Sequence, residues 1–191
     1  MVAFDFHPRT RVVFGPGSIT RAGQLARDLG FRRTLVVADP GIRQAGITGR
    51  LIDALTAEQI ETCLFDRFGV NPDSDMVDQG AAFAQPLGID SVVGIGGGSS
   101  LDCAKGINFV LRNGGTMGDY RGYGKAKTPL LPMIGIPTTA GTGSEAQSYA
   151  VIADAKTHMK MACGDPSAAV RRALLGPHLA LSAPRAGSGL G

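Results

Sequence analysis

Three short runs, residues 34–38, 91–95 and 133–136, are rich in apolar and β-branched residues and lack the polar alternation of a strand with one wet side. A strand of that kind has to be covered on both faces. The segments between them carry helical signals, over residues 48–57, from Asp73 to before Pro86, and over 100–111. Parallel neighbours need a crossover, and the crossover helices are what cover the sheet. The expected fold class is therefore α/β, a mostly parallel sheet with helices on both faces.

The remaining elements follow from local chemistry. Residues 12–14 read as a short strand, and Ser18 as the cap of a helix running to about Gly30. Asp39-Pro40-Gly41 ends the second strand as a turn, and Thr48 is the expected cap of the next helix. A strand is expected at 62–65, then a turn at Asn71-Pro72-Asp73, with Asp73 or Ser74 capping a helix. Residues 149–153 and 160–163 are expected to pair as a hairpin around Lys156-Thr157. From Ser182 to Gly191 no periodicity survives, so residues 1–181 form the expected domain and 182–191 an irregular tail.

Ligands of open parallel sheets sit beyond the carboxyl ends of the strands. Three marked segments follow strands directly and should converge there. Gly96-Gly97-Gly98-Ser99 joins a buried strand to a helix. Residues without side chains let a phosphate approach the backbone, and the helix start attracts its charge. Three glycines exceed what a tight corner needs, so Gly97, Gly98 and Ser99 are candidate binding residues. It is not a GxGxxG fingerprint, and no Walker A lysine follows. Asp39 could accept the hydroxyls of a ribose, or simply form a turn before Pro40-Gly41. Its place ahead of the glycine loop reverses the ordinary dinucleotide-binding order. The stretch from Pro137 to Glu145 is dense in small hydroxyl residues, which offer donors and acceptors without bulk. Asp102 and Lys105 lie one helical turn apart and are expected to form a surface ion pair. Lys160, taken alone, reads as a solvated lysine. His7, His158 and His178 lack the spacing of a helical metal site.

Composition excludes several classes. A net charge of +3, from 19 basic and 16 acidic residues, is too mild for a nucleic-acid or anionic-membrane partner. The longest apolar runs are strand-length, too short to span a bilayer. Cys63, Cys103 and Cys163 are far apart and odd in number, without a CxxC pair, which suits reduced thiols in a cytoplasmic protein.

The order of FGPGS at 14–18, VADPG at 37–41, NPD at 71–73, GGGSSLDCAK at 96–105 and IPTTAGTGSE at 136–145 resembles the iron-containing alcohol dehydrogenase family, as far as about Pro184. The PTTAGTGSE wording sets the chain apart from glycerol dehydrogenases and dehydroquinate synthases. The resemblance implies a Rossmann-like domain in which Asp39 faces the adenosine ribose and favours NAD over NADP. Gly97, Gly98 and Ser99 would hold the pyrophosphate, Thr138, Thr139 and Thr142 would contact the cofactor, and Lys160 would reach its ribose-phosphate side. In the family an all-helical C-terminal domain binds Fe2+, sometimes Zn2+, through one aspartate and three histidines. That domain and all four ligands are expected to be absent here, with Gly191 standing where the first aspartate would fall. The implied activity is metal-dependent hydride transfer between a small primary alcohol or aldehyde and NAD. The alternative is a catalytically inactive, truncated NAD-binding domain. With one wall of the cleft gone, self-association as a homo-oligomer or poor solubility is expected.

Overall fold

The computed structural model describes residues 9–180. His7 and the expected tail at 182–191 lie outside them. In chain order the elements are β1 (Arg11–Phe14), α1 (Ala22–Asp28), β2 (Arg33–Ala38), α2 (Pro40–Gln44), α3 (Ile47–Ala57), β3 (Glu61–Phe65), α4 (Ser74–Ala84), β4 (Ser91–Gly96), α5 (Gly98–Asn113), β5 (Gly122–Tyr123), β6 (Met133–Pro137), β7 (Tyr149–Ala153), β8 (Lys160–Gly164), β9 (Arg172–Leu175) and α6 (Pro177–Ala180). Short 3-10 turns lie at Ser18–Arg21, Gln85–Leu87, Met117–Tyr120 and Pro166–Ala168.

Six strands form the main sheet in the order β1-β9-β6-β4-β2-β3, with every pairing parallel. The central strands β4 and β6 are buried along their whole length, as their apolar runs require. Because side chains alternate across a sheet, consecutive residues feed opposite layers. Leu35, Val37, Val92 and Met133 pack with Val77 of α4 and Leu101 and Ala104 of α5. Val36, Val93, Ile95, Ile134 and Ile136 pack with Leu25 of α1 and Leu51 and Leu55 of α3. A Cβ on Gly80 would lie 2.3 Å from Ile107 Cδ1, and one on Gly106 would lie 2.9 Å from Val77 Cγ2. The close approach of α4 and α5 therefore depends on glycine from both helices.

The fold class and the three central strands are as the sequence implies, and the hairpin forms with Ala153 opposite Lys160. Local readings need correction. Ser18 does not cap a helix: Gly17, in the left-handed region, opens a 3-10 turn, and α1 begins only at Ala22. Thr48 is buried inside α3, whose cap position is Gly46, again left-handed. Asp39-Pro40-Gly41 is no simple turn, for Asp39 caps α2. Asp73 does cap α4, accepting from the Met76 amide at 3.0 Å. Strand β9, and the two-residue strand β5 that extends the hairpin into a second sheet of order β5-β8-β7, carry no strong sequence signal.

Candidate functional site

Strands β2, β4 and β6 are neighbours in the sheet, so the segments that leave their carboxyl ends meet along one edge. The junctions are hydrogen-bonded together: the Thr138 amide donates to the Gly96 carbonyl at 2.8 Å. Gly96 has φ +138°, and a Cβ there would lie 2.3 Å from Ser100 Oγ and 2.8 Å from Asp39 Oδ2. Only glycine suits that backbone and that space.

Asp39 uses both carboxylate oxygens. Oδ1 accepts from the Ile42 amide at 3.1 Å, and the Ser100 hydroxyl donates to Oδ2 at 3.0 Å. The aspartate is thereby locked at the end of β2 against the first turn of α5. Gly97 occupies the N-cap position of α5 with no side-chain cap, so no side chain competes for the opening amides of this 16-residue helix. Gly98 cannot gain a Cβ without crowding Thr142, whose Cβ and Cγ2 would lie 3.2 Å away.

Two hollows flank the helix start. The larger, about 650 Å³, runs from Asp39 and Pro40 past Phe68 and Val70 to Gly97, Ser99, Thr138 and Thr139. The smaller, about 290 Å³, is walled by Gly98, Ser99 and Asp102 on one side, by Thr142, Ser144 and Gln147 on another, and by Asn71 and Lys160. Ser99 borders both. Its hydroxyl accepts from the Asn71 amide at 3.4 Å, which ties the loop after β3 to the helix start. All eight sequence candidates, Asp39, Gly97, Gly98, Ser99, Thr138, Thr139, Thr142 and Lys160, line one hollow or the other. Thr139 Oγ1 is buried with no hydrogen-bond partner, a donor and acceptor in reserve beside the larger hollow.

Asn71, Asp102 and Gln147 also belong to this edge, although sequence reasoning gave them no binding role, and Ser100 and Ser144 join them from the two marked segments. For Asn71 the signal was its place before Pro72 and Asp73, where it adopts φ +57°. The ion pair expected between Asp102 and Lys105 on the surface is not there. Lys105 is completely buried, and its ammonium donates to the carbonyls of Ser144, Gln147 and Tyr149. Burial pushes the Asp102 carboxyl up to about 6, against the pull of Lys105, the Val151 N–H, the Ser144 hydroxyl and Lys160. Burial likewise brings Lys105 down to about 8, against attraction from Asp102 and Glu145.

Among the described residues, no three of His, Cys, Asp or Glu stand close enough together to hold a metal ion. His158 sits exposed on the β7–β8 turn and His178 is exposed on α6. The described donor set does not fit a resident metal. No helix among the described residues is long and apolar enough to cross a membrane.

Comparison with known proteins converges on the same frame. Alcohol dehydrogenase 4 of Schizosaccharomyces pombe is 41% identical over 153 residues, covering 80% of this chain and 36% of its own length. Choline dehydrogenase of Bacillus subtilis is 36% identical over 182 residues, covering 94% and 45%. Among solved structures, a 1,3-propanediol oxidoreductase superposes with a TM-score of 0.91 at 30% identity, over 98% of this chain and 49% of its own. Sulfoacetaldehyde reductase from Bifidobacterium kashiwanohense, solved in complex with NAD+, gives 0.87 at 30% identity, over 96% and 49%. The chain thus spans about half or less of the length of these relatives. The family model described as iron-containing alcohol dehydrogenase matches residues 8–177, nearly the whole of the described chain. Sequence motifs, sheet order and the loops at the strand ends agree, and the chain belongs to the iron-containing alcohol dehydrogenase family.

Proposed function

We propose that this chain binds NAD(H) across the two hollows and serves as the cofactor-binding part of an oxidoreductase acting on small alcohols or aldehydes. The observation that carries the reading is that the two hollows share Ser99 at the start of α5. Together their linings run from a fixed carboxylate at the end of β2, past an uncapped helix start flanked by glycine, to a lysine on the hairpin. That order matches the charge pattern of a dinucleotide: ribose hydroxyls, a diphosphate, then a second ribose. An NAD-bound structure among the relatives supports the same choice of cofactor.

In this reading Asp39 accepts the adenosine ribose hydroxyls and repels the additional phosphate of NADP. Its bonds to Ile42 and Ser100 hold it in place before the ligand arrives. The diphosphate lies over Gly97, Gly98 and Ser99, where a side chain on Gly98 would crowd Thr142. Thr138, Thr139 and Thr142 contact the cofactor from the facing loop, and Lys160 offers a cation toward its ribose-phosphate side. When bound, the nicotinamide supplies hydride transfer. The family's metal, Fe2+ or Zn2+, has no ligand set among the described residues.

Titration of the purified chain with NADH, followed by the nucleotide's own fluorescence, tests this directly, with NADPH alongside. Saturable binding that prefers NADH and is lost on Asp39→Ala is the expected result. Absence of saturable binding to either nucleotide refutes the reading. A chain that binds NADH but does not turn over a primary alcohol with added Fe2+ fits the inactive cofactor-binding alternative.

A further inference from the structure

The nucleotide reading leaves Lys105 without a task, since it borders neither hollow. Yet a buried ammonium is costly unless each N–H finds an acceptor. Lys105 Nζ donates to the carbonyls of Ser144 at 2.6 Å, Gln147 at 2.7 Å and Tyr149 at 2.9 Å. Three acceptors require three N–H groups, so this cage fits the charged ammonium and not the neutral amine. Asp102 and Glu145 are the ionisable groups that attract it, and burial opposes them.

Two of the carbonyls, of Ser144 and Gln147, belong to the irregular segment that leads into β7, and the third is that of Tyr149, the first residue of the strand. That segment supplies Thr142, Ser144 and Gln147 to the smaller hollow, and β7 adds Val151 and Ala153. The opposite wall is Gly98, Ser99 and Asp102, from the same helix that carries Lys105. An irregular segment has few backbone bonds of its own to hold its position. The Lys105 side chain adds two bonds to it, at Ser144 and Gln147, and a third where it enters β7 at Tyr149.

We propose that Lys105 is a positioning residue: by pinning the 144–149 backbone to α5 it sets the width of the smaller hollow, where the nicotinamide-side half of the dinucleotide is bound, without touching the ligand. The inference rests on the nucleotide reading and extends it to a residue outside the groove.

Calorimetric titration of the full 191-residue chain with NADH and with ADP tests it, because on the nucleotide reading ADP would fill only the larger hollow and the helix start. Wild type is expected to bind NADH more tightly than ADP. In Lys105→Met, NADH affinity falls about tenfold while ADP affinity stays within about twofold. Equal losses for both ligands indicate a merely structural lysine and overturn the proposal, as does an unchanged NADH affinity. Wild type that binds neither ligand refutes the nucleotide reading itself, a result distinct from either of these. Should Lys105→Met fail to fold, the wild-type chain still decides the matter. Raising the pH from about 7 to about 9.5 removes the third donor of Lys105, whose proton leaves near 8. The advantage of NADH over ADP should shrink through that range, and a constant advantage overturns the proposal.

Discussion

Replacing Asp102 by asparagine should stabilise the fold at neutral pH. Asp102 stands partly buried on the wall of the smaller hollow, and desolvation raises its carboxyl from 3.8 to about 6. The folded chain therefore holds its proton more tightly than the unfolded chain does. Between about 3.8 and 6 the folded state carries more protons, so stability falls as pH rises through that window and stays reduced above it. The full gap corresponds to roughly 3 kcal/mol. Solvent reaching the open side of the hollow screens part of it, leaving about 1–2 kcal/mol. Asparagine resembles the protonated acid in shape and charge, so Asp102→Asn should recover that amount at pH 7 and little at pH 4. Urea denaturation of both proteins at half-unit steps from pH 4 to 7.5 gives the comparison. The wild-type midpoint should decline toward neutrality relative to that of the variant. Parallel curves, with a constant offset or none, would refute the assignment of this penalty to Asp102.

Other perturbations separate packing from binding. A Cβ on Gly23 of α1 would lie 1.9 Å from the Ala54 carbonyl oxygen of α3, a backbone atom that cannot swing aside, so Gly23→Ala should cost at least about 3 kcal/mol in chemical denaturation. Gly98→Ala crowds Thr142 at 3.2 Å but gains helix propensity; its melting temperature should barely move while NADH affinity drops about tenfold by fluorescence titration. Lys160 is exposed, so Lys160→Ala should leave stability within about 0.5 kcal/mol, yet weaken NADH binding and flatten its salt dependence.

The sequence made the site's framework legible because that framework rests on short-range rules. Runs such as Leu35-Val36-Val37 can only be strands covered on both sides, and glycine or threonine after such a run marks the sheet's ligand edge. What escaped depends on partners far along the chain. Ser18 and Thr48 carry hydroxyls near helix starts, but Gly17 and Gly46 take the opening positions because only they enter the left-handed region without strain. Residues 172–175 form a strand because β1 and β6 present free edges on either side, which no local pattern announces. Lys105 gave a weak signal, since it follows Leu101 by four residues and precedes Asn108 by three on the buried side of α5. A charge at an apolar position reads as an error until the carbonyls that cage it are known.

The placement of β9 also bears on how the chain matures during synthesis. Among the described residues β1, though near the amino end, pairs in the main sheet with β9 alone, and β9 also closes against β6. As the polypeptide leaves the ribosome, residues 11–14 must wait until residue 175 has emerged before they can join the sheet. Throughout that interval the flank of β6 lacks its neighbour, and Val13 has no counterpart at Leu174. Long-range closure of this kind is slow, and an unpaired strand edge invites intermolecular pairing. The nascent chain is thus most vulnerable to aggregation just before β9 appears, and a translational pause before codon 172 would prolong that exposure.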